Sequence, residues 1–180
     1  MMAFWRHGYE ATSLADLTAA MDVTPPSIYA AFRSKKSLFL EALRLYVGEP
    51  AYSARIIANA PTARDAVRGL LEASVIGFTG KDTPPGCLLA SAALSCSAEA
   101  ADVQAELARI RIGIETQLRE RLARGVSDGD LEAATEVESV AAHVMAVIQG
   151  LSTLARDGAT RAKLDGVVRE VMRGIAWRAR

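Results

Sequence analysis

Val103, Leu107, Ile110, Ile114, Leu118 and Leu122 advance by three or four residues at each step. That spacing lays apolar side chains along one face of an α-helix. One stripe on one long helix demands other helices to cover it. No stretch of useful length alternates β-branched and polar residues, and alanine and leucine, both strong helix formers, are the commonest residues. The predicted fold is all-α. With 180 residues and 51% hydrophobic content, the chain can bury a core of one domain, or of two small ones sharing an interface.

Proline and glycine clusters punctuate this helical background at Thr24-Pro25-Pro26, Gly48-Glu49-Pro50, Asn59-Ala60-Pro61-Thr62, 80–86, 125–129 and Asp157-Gly158. Thr62 is a suitable cap for a helix to Thr79 that carries Val67, Leu70, Leu71, Val75 and Phe78 on its inner face. Two further helices are predicted to close the chain, Leu131 to Asp157 and Leu164 to Arg178. Ala142, Ala146 and Gly150 recur every four residues and make a shallow strip where another helix can approach closely. Intramolecular packing would use such a strip; the sharper expectation is a homodimer interface. Trp177 reads as a helix-packing anchor.

Twenty-one basic residues balance 21 acidic ones, so nucleic-acid binding would have to come from a local patch and not from the overall field. Cys87 and Cys96 fit neither a CxxC redox pair nor a zinc-ligand pattern and read as small buried hydrophobes. Neither a cofactor nor a metal is implied. No secretory-type leader is apparent, which makes the cytoplasm the expected location. The run from Ser139 to Ala155 lacks formal charge but is shorter than the ~20 apolar residues that span a bilayer, so no membrane association is expected.

The informative stretch is GYEATSLADLTAAMDVTPPSIYAAFRSKKSLFLEAL, from Gly8 to Leu43. Thr12 or Ser13 can cap a short helix to about Ala20, with Leu14, Leu17 and Met21 facing one way. Asp22 breaks it, since Asp tolerates the left-handed conformation, and Val23 is expected to plug the space between helices. Thr24 can cap a second short helix from Pro25 to about Phe32, with Pro25 at a first position that needs no amide donor. Ser34 then offers a new cap before Lys35, Lys36 and the apolar series Leu38, Phe39, Ala42 and Leu43. Two short helices joined by a tight turn, followed by a longer one, make a helix-turn-helix, whose second helix enters the DNA major groove.

GYEATSLADLTAAM, VTPPSIYAAF and KKSLFLEAL resemble the DNA-binding domain of the TetR/AcrR family of repressors. The match covers the Gly-Tyr pair ahead of the capped helix, the Ser-x-Tyr-x-x-Phe of the recognition helix and the Lys-x-x-Leu-Phe that opens the fourth helix. Pro85-Gly86-Cys87-Leu88-Leu89 is a weaker echo. The resemblance implies a helix-turn-helix domain over residues 1–47, its first helix incomplete, and a helical effector-binding and dimerisation domain over 48–180. By position it sets Thr24, Pro25, Pro26, Ser27 and Tyr29 at the exposed start of the recognition helix, against base edges or phosphates. Thr12 and the amides near it, at a positive helix terminus, and Lys35 would contact phosphates. Phe32, Leu14, Val23 and Leu38 are expected in the core.

The function implied is a DNA-binding transcriptional regulator: a ligand-responsive repressor acting as a homodimer on a palindromic double-stranded operator. The pattern departs from the family at three points: the chain begins inside the first helix without the usual basic arm, Asp22 stands where glycine is frequent, and Pro25 replaces a polar base contact. The missing arm motivates an alternative, a helical dimer that has lost operator binding and serves as a ligand-binding or interaction module. The resemblance also implies a small apolar effector, with Phe78, Cys87, Leu88, Leu107, Ile110 and Met145 either lining its cavity or forming ordinary core. His7 and His143 read as structural. No phosphate loop or nucleophile motif appears, so enzymatic activity is not expected.

Overall fold

Four helices start where short hydroxyl side chains meet unsatisfied backbone amides. In the computed structural model, which describes residues 1–49, 51–93 and 96–178, the elements run in chain order. They are α1 (Met2–His7), α2 (Leu14–Met21), α3 (Pro25–Phe32), α4 (Lys35–Val47), α5 (Tyr52–Asn59), α6 (Ala63–Phe78) and α7 (Leu88–Ser91), then a 3-10 turn (Ala98–Ala100), α8 (Ala101–Ser127), α9 (Val137–Arg156) and α10 (Arg161–Gly174). Ser13, Ser34, Thr62 and Thr160 each accept a hydrogen bond from the amide three residues on. No strand occurs among the described residues; Leu131 and Trp177 form an isolated antiparallel bridge. Pro50, one of the predicted breaks, lies outside the described residues.

The chain divides into two compact units, Met1–Glu49 with Cys87–Ile110, and Pro50–Gly86 with Arg111–Arg180. Residues 87–110, expected to belong with everything after 48, therefore pack with the N-terminal helices. In this unit Phe4 and Phe39 are fully buried with their rings edge to face at 5.1 Å, and Tyr9 meets Phe39 at the same distance. Trp5 packs edge to face on Tyr46, whose hydroxyl donates to the Cys87 sulfur at 3.4 Å. Burial, with the Cys87 thiol beside it, pushes the Tyr46 phenol far above its ordinary pKa. The Tyr9 amide donates to the Ala92 carbonyl at 2.8 Å. Gly8, just before it, has φ of 82° and comes so near that carbonyl that a β-carbon would sit 3.2 Å from its oxygen. Glycine before tyrosine is what this approach requires.

The second unit is organised around α6, which packs on α5, α9 and α10. Its inner face holds Val67, Leu71 and Val75, all fully buried. At its start the Ala63 amide donates to Asp130 at 3.0 Å. Asp130 also lies 3.7 Å from the Arg121 guanidinium, with both side chains only 3% exposed. Arg121 donates to the Ala60 carbonyl, and the Asp130 carbonyl accepts the Arg178 amide. Asp130 thus ties together the start of α6 and α8 through its carboxylate and the segment after α10 through its backbone carbonyl. Trp177 anchors that segment, donating its indole N–H to the Met172 carbonyl at 2.8 Å.

Several expectations are corrected. α9 begins at Val137 and not Leu131, because Leu131 is engaged with Trp177 and the 125–131 stretch turns back on itself, with the Asp130 and Leu131 amides both donating to the Gly125 carbonyl. α10 starts earlier than expected, capped by Thr160, and ends at Gly174. Cys96 is half-buried, unlike the buried Cys87. α9 has 20 residues and, by length and composition, could cross a membrane, so the length argument fails. Its inner residues, including Ala141, Val144 and Leu151, are instead buried in the helical unit.

Candidate nucleic-acid interface

Residues 1–49 contain five Lys and Arg against five Asp and Glu, so any attraction for DNA depends on where individual groups stand. α2 is held at its start by a complete capping box. The Asp16 amide donates to the Ser13 hydroxyl at 3.1 Å, and the Ser13 amide donates to the Asp16 carboxylate at 2.8 Å. The Ser13 hydroxyl and amide hold the Asp16 carboxyl below its ordinary pKa. Ser13 is therefore the cap. Thr12 is fully buried, its hydroxyl donating to the Gly8 carbonyl at 2.5 Å. The phosphate contact expected of Thr12 is corrected to this extent: its hydroxyl is committed inward, leaving only the backbone near it.

The turn between α2 and α3 passes through Asp22 in the left-handed conformation, at φ 52° and ψ 47°. The Val23 amide reaches back to the Thr18 carbonyl at 3.2 Å, a Schellman-type closure. This closure leaves Val23 39% exposed, so it does not plug the inter-helix space as expected; Met21 is similarly exposed. Ile28 does the anchoring, fully buried beneath α3, with Leu17 and Leu38 also buried and Leu14 and Phe32 half-buried.

Thr24, Pro25, Pro26, Ser27 and Tyr29 are all exposed, gathered at the start of α3 around the buried Ile28. Thr24 and Ser27 share a hydrogen bond of 2.9 Å between their hydroxyls, and the Ser27 amide is taken by the Thr24 carbonyl. Because Pro25 and Pro26 lack amide hydrogens, this helix start offers few backbone donors to an anion. Side chains must do the reading: two hydroxyls, the flat proline rings and the Tyr29 phenol, which is 52% exposed.

Past α3, Arg33 adopts φ of 63° and closes the helix with its amide on the Tyr29 carbonyl. Its side chain is exposed, a cation that the motif reading passed over because the family pattern draws attention to the lysines after it. Lys35 is half-buried: its ammonium sits 4.7 Å above the Tyr9 ring and donates to the Glu10 carbonyl at 3.2 Å. Burial lowers its pKa. Lys36 is ion-paired with Asp102. The Glu10 carboxylate is engaged by the Ser97 amide and hydroxyl, which depress its pKa. Among the described residues, no three His, Cys, Asp or Glu side chains gather as a metal site.

The family model described as "Bacterial regulatory proteins, tetR family" matches residues 1–42, and that described as "Tetracyclin repressor-like, C-terminal domain" matches residues 63–174. The chain belongs to the TetR family. This TetR-family regulator is 32% identical over 175 residues to the HTH-type transcriptional repressor ComR of Escherichia coli (strain K12), a match covering 96% of the chain and 83% of ComR. It is 27% identical to the HTH-type transcriptional repressor BdcR of the same organism, over 86% of the chain and 74% of BdcR. Among solved structures, the TetR family transcriptional regulator CifR, complexed as a cysteine mutant with 26bp double-strand operator DNA, superposes with a TM-score of 0.92 at 42% identity, covering 97% of this chain and 91% of CifR. The all-α fold with an N-terminal helix-turn-helix is that of the family, and the TetR-family chain is a DNA-binding transcriptional regulator.

Proposed function

We propose that the chain is a cytoplasmic, ligand-responsive repressor that binds a palindromic operator as a homodimer. The observation carrying this reading is the exposed cluster at the start of α3, held over the buried Ile28 and presented by two firmly closed helix ends. Thr24, Ser27 and the rings of Pro25 and Pro26 meet base edges, and Tyr29 donates to a phosphate oxygen. Lys35 supplies a phosphate contact from its perch on Tyr9, and the backbone near Thr12 a further one.

Dimerisation through α9 and α10 is supported by the exposed small residues of α9. Ala142, Ala146 and Gly150 all lie on its uncovered side, and only 28% of its apolar window is buried within the chain. A second copy would cover that side, giving a bundle of two helices from each subunit. Two recognition helices would then meet half-sites about one helical turn, roughly 34–36 Å, or a multiple of it apart.

The effector in this reading is small and mostly apolar. Of the residues offered for its cavity, Phe78, Cys87, Leu88, Leu107 and Met145 are buried and Ile110 is half-buried. Such a ligand releases DNA only if it binds the non-DNA-binding arrangement more tightly, so operator must weaken effector binding by the same factor. Footprinting on the DNA upstream of the chain's own gene tests the whole reading. Two symmetric protected patches are expected, and a uniform pattern without protection overturns it.

A further inference from the structure

α6 and α10 pack side by side in the second unit, and the groove between them is lined by Arg64, Arg68, Arg169 and Arg173 against a single acid, Glu72. Each helix places two arginines four residues apart, so their side chains are neighbours on the helix surface. Like charges at that spacing weaken a helix, and here two such pairs face one another across a groove of about 590 Å³. Arg173 is paired with Glu170 at 2.5 Å, whereas Arg64, Arg68 and Arg169 have no ion pair among the described residues. Outside the groove, Arg44, Arg109 and Arg161 are each matched to an acid within about one helical turn, Glu41, Glu106 and Asp165.

Its far end is built firmly. Trp177 lines it, held by the indole bond to Met172 and by its bridge to Leu131, while Val168, Met172 and Ile175 form an apolar floor. The groove lies on the α6 side of α10. Glu170, Val171 and Gly174 line a second cleft on the α9 side, which shares Ile175 and Ala176 with the groove, so a dimer formed through α9 and that side of α10 leaves the arginines accessible.

We propose that this groove binds a small organic oxyanion carrying two or more negative charges, a polycarboxylate or a phosphate ester. Guanidinium forks match carboxylate and phosphate oxygens alike, and arginines on two separate helices select a molecule with two anionic ends over a monovalent one. The volume lies in the range of small-molecule sites. Binding of the anion relieves the repulsion between the two arginine pairs and clamps α10 to α6.

Calorimetric titration of the intact protein with citrate and with pyrophosphate tests this. Saturable binding of one anion per subunit is expected for at least one of the two, with acetate giving none. Preference for citrate marks a polycarboxylate ligand, and preference for pyrophosphate a phosphate ester. Arg68→Gln and Arg169→Gln should each weaken binding about tenfold, the loss of one charge-assisted hydrogen bond. Arg169 is exposed and Arg68 half-buried, and an unaltered thermal midpoint shows that the fold persists. No saturable binding of either anion, acetate binding as well as citrate, an acidic peptide binding where both anions fail, or affinity unchanged in both variants overturns the proposal. None of these outcomes bears on operator binding, which is read separately on DNA.

Discussion

The Lys35 ammonium rests 4.7 Å above the Tyr9 ring while donating to the Glu10 carbonyl. This perch fixes a cation beside the helix-turn-helix, where burial lowers its pKa and the nearby Glu10 carboxylate favours its charge. Lys35→Ala should therefore lower affinity for specific and unrelated DNA alike and reduce the slope of log affinity against log salt by about 0.9, one phosphate contact. Fluorescence anisotropy across a salt series measures both. A slope equal to that of the unaltered protein would mean that Lys35 serves the fold alone.

Ser13 and Asp16 exchange hydrogen bonds at the start of α2, so Ser13→Ala should destabilise the protein by about 1 kcal/mol in urea unfolding. The pH dependence follows from the depressed Asp16 pKa. A carboxyl whose folded pKa lies below its unfolded value contributes stability above the unfolded pKa, near pH 4, about the ordinary aspartate value, and loses it as pH falls through the folded one. The difference between the parent and Ser13→Ala should accordingly shrink below about pH 4. A difference constant down to pH 2, about two units below the ordinary aspartate value, would contradict the reciprocal cap.

Asp130 is the acceptor for Ala63 and the counter-ion of Arg121, both inside the second unit. Asp130→Ala strands a buried guanidinium and a helix-terminal amide, and should cost about 3–5 kcal/mol. A shift in the urea midpoint equivalent to less than about 1 kcal/mol, the range of an exposed ion pair, would show that Arg121 finds solvent or another partner.

The bounds of α3 were legible to the residue, since the two prolines and the Ser34 cap of the next helix act within a few positions of the chain, but the Thr24 hydroxyl meets the Ser27 hydroxyl and caps no backbone amide. The choice between Thr12 and Ser13 as cap was not. Both carry hydroxyls, and what separates them is that Thr12 finds the Gly8 carbonyl one turn back and is buried there. Val23 was misread because burial in the turn depends on how the Asp22 closure aims the next residue, which composition does not encode. Asp130, 67 residues from its partner Ala63, and the packing of 87–110 with the N-terminal helices are long-range facts that no local pattern carries.

Ala146 sits on the uncovered side of α9 and Ala141 on its buried side. Ala146→Glu should convert dimers to monomers in sedimentation while leaving helix content intact. A dimer of unchanged affinity would place the subunit contact on another face.

The exposed start of α3 is the central claim, and binding of the purified protein to DNA from upstream of its own gene, titrated at several salt concentrations, tests it most directly. The account predicts tight binding that weakens steeply with salt, on the order of 10³-fold between low and physiological salt for about six phosphate contacts. It predicts too that Ser27→Ala changes which sequence is preferred, while Tyr29→Phe weakens all sequences alike. Binding that ignores salt, or that survives Ser27→Ala and Tyr29→Phe together without change in affinity or preference, would contradict it.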